Sequence, residues 1–462
     1  MKIEKIGRIL TLFFIAALPW SVMISVIGVL KFDIQILRYW KEVFLMILFF
    51  VFAIEVYKKR ISFQYDNIDI LIFLFSLCLI IVTIFNNRWL SAYIYWLRYD
   101  VEFLIAFVLL RRLFPLYRVW IGELSRIVLI SWGLMIVTAL TIRYVMSEYL
   151  LTFFWFDPQV SGFSGGNWWP PKIYYVIEGT ETIRFQWLLE WPNQMAYFLL
   201  VYIALFWFHF RTKKSYRFIS IVSGILCLYL LFMTYSRSAI VWAILSGFFV
   251  ALLYILKWGY SRRLISRGKI ILITLSTLFI ITAGGFLSYE KINTLFIREW
   301  STHAHFERMM IGVERFLAHP FWVGLWEAGP GSRGVHDINN DKKYSTDIIG
   351  VNNLVTKIAS SNKNFYLMSE YFYIPESWYI QQLIQGGFIG FILFSFVMIA
   401  IVIRFRNVYP LLWGFVAVMI MNMFLHAFES MHISLLLFSI LSTLCPVWYS
   451  LLNKIWKKSS SF

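Results

Sequence analysis

Apolar residues run through this chain in stretches near the ~20 residues a bilayer span requires, and the polar residues gather in the gaps between them. A span-length window finds about twelve such stretches: Ile9–Leu30, Val43–Val56, Ile68–Phe85, Tyr93–Leu110, Ile127–Val145, Gln194–Phe210, Phe218–Met233, Ala239–Leu256, Ile270–Leu287, Ile380–Ile403, Leu411–Leu425 and Ile433–Leu452. The pattern predicts an all-α polytopic membrane protein. One long polar stretch, Tyr289 to Ser377, interrupts it. The chain thus divides into residues 1–288 with nine spans and a Trp/Gly/Pro-rich stretch at 144–192, a large loop at 289–377 holding amphipathic helices, and residues 378–462 with three more spans.

Composition agrees: 60% of residues are hydrophobic, 20% aromatic and 15% charged, and the mean hydropathy is +0.70. The first apolar run follows Lys2, Lys5 and Arg8 like a signal peptide, but its length and lack of a small-residue cleavage pattern predict a retained span. Cys78, Cys227 and Cys445 each lie inside an apolar run, where a lone thiol behaves as a small hydrophobe.

The net charge of +17 is concentrated in alternate gaps. Lys58-Lys59-Arg60, Arg111-Arg112, Arg211 with Lys213-Lys214 and Arg217, the Lys257 to Lys269 cluster, and Arg404 with Arg406 all fall on one side, with both termini. The positive-inside rule makes that side cytoplasmic and puts the Tyr289–Ser377 loop, with 9 basic and 10 acidic residues, outside. The basic excess is then a topology signal beside anionic lipid, which excludes nucleic-acid binding. The second outer stretch, Tyr144 to Pro192, contains Gly162-Phe-Ser-Gly-Gly-Asn-Trp-Trp-Pro-Pro171, suited to an interfacial lid or a sugar platform.

Four outer positions carry candidate chemistry. Thr234-Tyr-Ser-Arg-Ser-Ala239 is a short turn between spans, so Arg237 sits at or just below the interface. It either anchors there by snorkelling or offers its fork of donors to a phosphate. In Phe306 to Pro320, Phe306, Met309, Met310, Val313, Phe316 and Leu317 follow amphipathic helical spacing, while Arg308, Gly312, Arg315 and His319 fall on another face. That face is either a cationic stripe or an ordinary solvated one paired through Glu307 and Glu314. Gly324 to Arg333 is a glycine-rich turn, and Pro375 to Gly390 opens the tenth span with Glu376 at its start.

Taken in order, these segments resemble the O-antigen ligase and O-antigen polymerase superfamily of bacterial envelope glycan assembly. The resemblance includes Arg184 followed by Trp191-Pro-Asn-Gln-Met-Ala196, the Ser236-Arg237 turn, the Arg308 helix ending at His319-Pro320, the Gly324–Gly331 turn and the Pro375–Gly390 segment. It covers the chain from about residue 180 to 450. It implies a metal-independent membrane glycosyltransferase, without cofactor, at the outer face of the bacterial cytoplasmic membrane. The implied partners are an undecaprenyl diphosphate-linked glycan donor, a glycan or lipid acceptor, and membrane lipid.

By the same resemblance Arg237 and Arg308 hold the diphosphate, while Arg184, Asn193, Ser236, Arg315 and His319 contribute to substrate binding. Ligases of the family place a His where this chain has Glu376, and a carboxylate raised toward neutrality by partial burial can serve as the base instead. His305 and His319 are other bases near it, and His426, Glu429 and His432 cluster at the outer end of the last two spans. The alternative from another class is a flippase or transporter for lipid-linked oligosaccharides, which predicts internal repeats and paired broken helices. A polyprenyl-monophosphate-sugar transferase is a further alternative; it would carry an acidic pair in the first outer loop, where Lys31 to Arg38 offers only Asp33.

Overall fold

A computed structural model describes residues 2–28, 32, 34–58, 66–85, 97–117, 119, 121–145, 175–176, 183–185, 189, 192–212, 214–241, 243–246, 308–314, 316–317, 320–321, 377–406, 408–422 and 433–442. These residues are almost entirely helical. Through the first half run α1 (Lys2–Ala17), α2 (Ser21–Val26), α3 (Trp40–Tyr57), α4 (Asn67–Phe85), α5 (Glu102–Leu116), α6 (Ile121–Tyr144), α7 (Pro192–Thr212) and α8 (Arg217–Met233). Then come α9 (Arg237–Ser246), α10 (helical residues 308–314 and 316–317), α11 (Trp378–Phe405), α12 (Tyr409–Met421) and α13 (Ile433–Ser442). One element departs from the all-helical expectation: a two-residue antiparallel ladder in the Trp/Gly/Pro-rich stretch, with Tyr175 opposite Arg184 and Val176 opposite Ile183.

Four described helical segments are long and apolar enough to cross a membrane: Lys5–Ser25, Gly122–Thr141, Pro192–Arg211 and Trp378–Phe405. Shorter apolar helices accompany them at Asn67–Val82, Arg217–Met233, Arg237–Ser246, Tyr409–Met421 and Ile433–Ser442. The chain is a helical, membrane-associated protein. The apolar run expected at Ile270–Leu287 and most of the large loop lie outside the described residues.

The helices meet the demands of an apolar solvent in two ways. Hydroxyls on them bond back to their own backbone, as Thr11 does to the Gly7 carbonyl (2.8 Å), Ser76 to Ile72 (2.8 Å) and Ser395 to Phe391 (2.8 Å). Large apolar side chains such as Phe50 on α3, Phe73 on α4 and Phe218 on α8 stay exposed, as a lipid-facing surface requires.

Between helices, small residues allow close approach. A Cβ on Gly414 would lie 2.5 Å from the Ala204 Cβ, so α12 and α7 meet there almost backbone to backbone. Trp413 packs edge-on to Trp207 with ring centroids 6.2 Å apart. Residue numbers rise along α12 as they fall along α7, so these helices are antiparallel and the end of α12 lies beside the start of α7. The bundle therefore has two distinct ends.

At one end the sequence pattern misplaced a boundary. Arg111 and Arg112 were expected in a gap after a span ending at Leu110, whereas α5 carries both within its length. Asp66 and Asp69 make this possible. Asp66 receives two bonds from Arg111 (2.8 and 3.0 Å), Asp69 receives two from Arg112 (2.5 and 3.2 Å), and Arg111 also pairs with Asp69. The same two carboxylates cap α4: Asp66 accepts from the N–H groups of Ile68 and Asp69, both at 3.0 Å, and Asp69 accepts in return from the Asp66 N–H at 3.2 Å. Two aspartates thus cap one helix and neutralise the end of its neighbour.

Burial pulls the Asp66 pKa up, but the Arg111 hydrogen bonds and charge, the Asp69 N–H and the charge of Arg404 outweigh it and leave the carboxyl below its ordinary value. A carboxyl lowered on folding contributes stability that is complete above its unfolded pKa, about 3.9, and is lost as the pH falls through the folded value. Asp66→Asn should lower the melting temperature of the detergent-solubilised protein at pH 7. The gap to wild type should close as the pH drops below about 4; a gap constant from pH 7 to pH 3 in a fluorescence melting series would refute this role.

The opposite end is fixed by a break in α11. Gly387 adopts φ 62° and ψ −170°, which splits Trp378–Phe405 into a short first piece and a long second one. A side chain there would collide with the Phe321 carbonyl oxygen. The Phe388 N–H, deprived of its helical acceptor, donates to the Pro320 carbonyl at 3.0 Å. Gly387→Ala combines an unfavourable φ with that collision and should cost about 1–3 kcal/mol or more. Thermal melting of the variant at wild-type temperature would show that the break relaxes freely.

Candidate functional site

Arg184 organises the first part of the site. It sits on the second strand of the short ladder, donates through Nε to the Thr234 carbonyl at 2.9 Å and through Nη2 to Asn193 Oδ1 at 3.1 Å. Its neighbour Phe185 donates its N–H to the Met233 carbonyl at 2.8 Å. Asn193 is in the first turn of α7, and Thr234 begins the turn joining α8 to α9. Arg184, Asn193, Ser236 and Arg237, picked from well-separated motifs, therefore belong to one assembly.

Within it the 234–237 turn is tightly constrained. The Thr234 hydroxyl donates to the Leu231 carbonyl at 2.7 Å and accepts from the Ser236 N–H at 3.2 Å. Tyr235 is held at φ 50°, a conformation that L residues other than glycine rarely adopt. The Ser236 carbonyl accepts the Ile240 N–H at 3.1 Å, which makes Ser236 the residue at the head of α9 and Arg237 its first helical position. The Ser236 hydroxyl is buried and has no hydrogen-bond partner among the described residues, although a serine at a helix start ordinarily caps it. A strained turn, a buried idle hydroxyl, a helix N-terminus and a guanidinium meet at one point; helix N-termini and guanidinium groups both favour anions.

Arg308 lies elsewhere in the sequence but on an element docked to the same end. Met309, Ile311, Val313 and Phe316 of α10 pack on Ile380 and Ile384 in the short first piece of α11. Two details differ from the amphipathic pattern. Met310 and Leu317, expected on the packed face, are exposed, and Gly312, expected beside Arg308 on the polar face, is buried. The docked face is rotated because Ile311 joins it and α11 approaches from that side. Arg315, His319 and Glu376 lie outside the described residues, as do His305, His426, Glu429 and His432.

The residue after Glu376 is nonetheless firmly placed. Ser377 is the N-cap of α11, and its hydroxyl donates to the Asn422 carbonyl (3.4 Å). The Trp378 N–H donates to the same carbonyl at 2.9 Å, and the buried Trp378 ring packs on Phe394 with centroids 4.4 Å apart. The backbone leading out of Glu376 is thereby tied to the end of α12, which lies beside the start of α7.

A third group at this end escaped the sequence reading. The turn Leu97–Val101 and the first residues of α3 and α5 bury Lys41, Asp100 and Glu102 beside the ion pair of Arg98 with Glu42 (2.5 Å). Arg98 also lies over the Tyr39 ring, 5.2 Å from its centre. Gln382 of α11 donates to the Asp100 carboxylate. The signal was present as Arg98-Tyr-Asp-Val-Glu102, three charges at alternate positions inside an apolar run, but length alone absorbed them into a span. Among the described residues no three His, Cys, Asp or Glu side chains are grouped as a metal site.

No family model, characterised protein or solved structure matches this chain.

Arg184→Lys keeps the charge but cannot serve the Thr234 carbonyl and Asn193 with the same planar fork. It should lower stability by roughly 1.5–3 kcal/mol, the range for charge-assisted hydrogen bonds, and speed hydrogen exchange at the amides of residues 235–237. Exchange at the wild-type rate there would separate the turn from Arg184.

Proposed function

We propose that this protein transfers a glycan from an undecaprenyl diphosphate carrier to an acceptor hydroxyl at the outer face of the cytoplasmic membrane, as an O-antigen-type polymerase or ligase working without metal. The observation that carries this reading is the Ser236–Arg237 turn. An anion-seeking helix start, held open by Arg184 with its serine hydroxyl idle, is suited to a diphosphate. Docking of the Arg308 helix on α11 supports it by fixing a second guanidinium to the segment that follows Glu376.

In this mechanism the acceptor oxygen attacks the anomeric carbon of the donor sugar and its proton passes to Glu376. The bond from that carbon to the diphosphate oxygen breaks, and the electron pair leaves with the carrier diphosphate. Arg237 and Arg308 stabilise the charge that develops on it, the task a metal performs in other transferases. Arg184, Asn193 and Ser236 shape the turn, and Arg315 and His319 extend the cationic face. The basic loops lie toward the cytoplasm and the 289–377 loop outside.

A second reading, a lipid-linked oligosaccharide flippase, draws on the break at Gly387, since broken helices line many transport paths. Such transporters pair their broken helices across a repeat, and among the described residues the non-helical interruption is at Gly387 alone.

Purified protein supplied with an undecaprenyl diphosphate-linked oligosaccharide in metal-free buffer should yield either a ladder of longer carrier-linked glycans or, with a second acceptor, a single transfer product. Arg237→Ala and Arg308→Ala should each reduce product at least 100-fold at unchanged expression, the scale of losing a charge-stabilising donor. Wild-type product from both variants would end the proposal, and lipid crossing a vesicle bilayer without transfer would favour the flippase.

A further inference from the structure

The short first piece of α11 carries three glutamines, Gln381, Gln382 and Gln385, all buried. At 3.6 residues per turn they occupy an arc of about 100°, whereas Ile380 and Ile384 on the other side meet α10. Gln382 places this arc against the Leu97–Val101 turn through its bond to Asp100. Burying three amides beside a carboxylate in a membrane bundle is costly unless their hydrogen bonds are completed.

For two of the three, those bonds are incomplete among the described residues. Both polar atoms of the Gln381 amide lack a hydrogen-bond partner there although the residue is fully buried, and so does the Gln382 carbonyl oxygen. Asp100 takes one hydrogen bond among the described residues, from Gln382. Among the described residues the nearby cations are engaged elsewhere: Arg98 pairs with Glu42, and Lys41 and Arg98 both act on Glu102. The vacant capacity is mixed: an amide donor and amide acceptors on the α11 arc, beside the carboxyl of Asp100 on the facing segment. A phosphate would find no cationic partner on that arc and an acyl chain would satisfy nothing. Neighbouring hydroxyls, each able to donate and accept, match it.

We infer that Asp100, Gln381 and Gln382 form a binding site for the hydroxyls of an uncharged sugar ring in the outer part of the bundle. This rests on the glycan-transfer reading, within which the site holds the acceptor sugar beside the segment that follows Glu376. The carboxylate accepts from one hydroxyl while the Gln381 amide donates to and accepts from its neighbour. Such sites discriminate strongly, because an analogue lacking the hydroxyl leaves the buried amides unpaired.

The test uses the full-length protein in lipid nanodiscs and saturation-transfer NMR with three methyl glycosides: a neutral hexose, an N-acetylhexosamine and a 6-deoxyhexose. At least one should bind wild type. Binding should weaken tenfold or more in Asp100→Asn and Gln381→Leu, with Gln381→Asn, which keeps an amide in the core, as the companion should the leucine variant fail to fold. No binding of any glycoside to wild type, or equal binding to every variant, would overturn the site. Sugar binding lost in the variants while wild type transfers no glycan would keep the site and reject the transfer reading. Transfer with an acceptor KM unchanged in Gln381→Leu and Gln381→Asn would keep that reading and reject the site.

Discussion

Hydrocarbon cannot supply hydrogen bonds, and many of the described polar features answer that constraint. Hydroxyls on the helices turn back to their own carbonyls, and the break at Gly387 borrows an acceptor from Pro320. The Asp66–Asp69 pair spends each carboxylate twice, as helix cap and as counterion. Among the described residues the same constraint is left unmet at several buried groups, the Ser236 hydroxyl and the Gln381 amide among them.

The two ends of the bundle differ in kind. At the Asp66 end charges of opposite sign are matched face to face, with bidentate arginine geometry on both aspartates. Such an end resists rearrangement and offers little to a ligand. At the Arg184 end the arginine donates to neutral acceptors, a carbonyl and an amide, and these bonds position the turn.

Much of this was legible in the sequence, and the reasons are specific. Periodicity and length located the helices, because a span is an apolar run of fixed minimum length. Arg184, Asn193 and the Ser236–Arg237 turn were legible as motifs, although nothing in their spacing said that one guanidinium would tie them together. The end of the fourth apolar run was misjudged because arginines were read as a boundary, when Asp66 and Asp69, some 45 residues away, allow α5 to carry them. The Asp100 group was missed for a related reason: a window average dilutes three charges among many apolar residues. The face of α10 that docks was also beyond reach, since Met309, Met310, Val313 and Leu317 are equally apolar and the partner surface on α11 decides among them.

The strap at Pro320 has a consequence for how the protein is made. As one straight helix, the 28 residues of α11 would extend roughly 42 Å, more than the hydrocarbon thickness; the break leaves a long piece of about span length and a short piece set apart from it. The Phe388 N–H that the break exposes is paid for by a carbonyl translated nearly seventy residues earlier. The joint is therefore complete only once the Pro320 segment and α11 have met, whichever of them is placed first. The helices from residue 378 onward are in this way locked to a segment made before them.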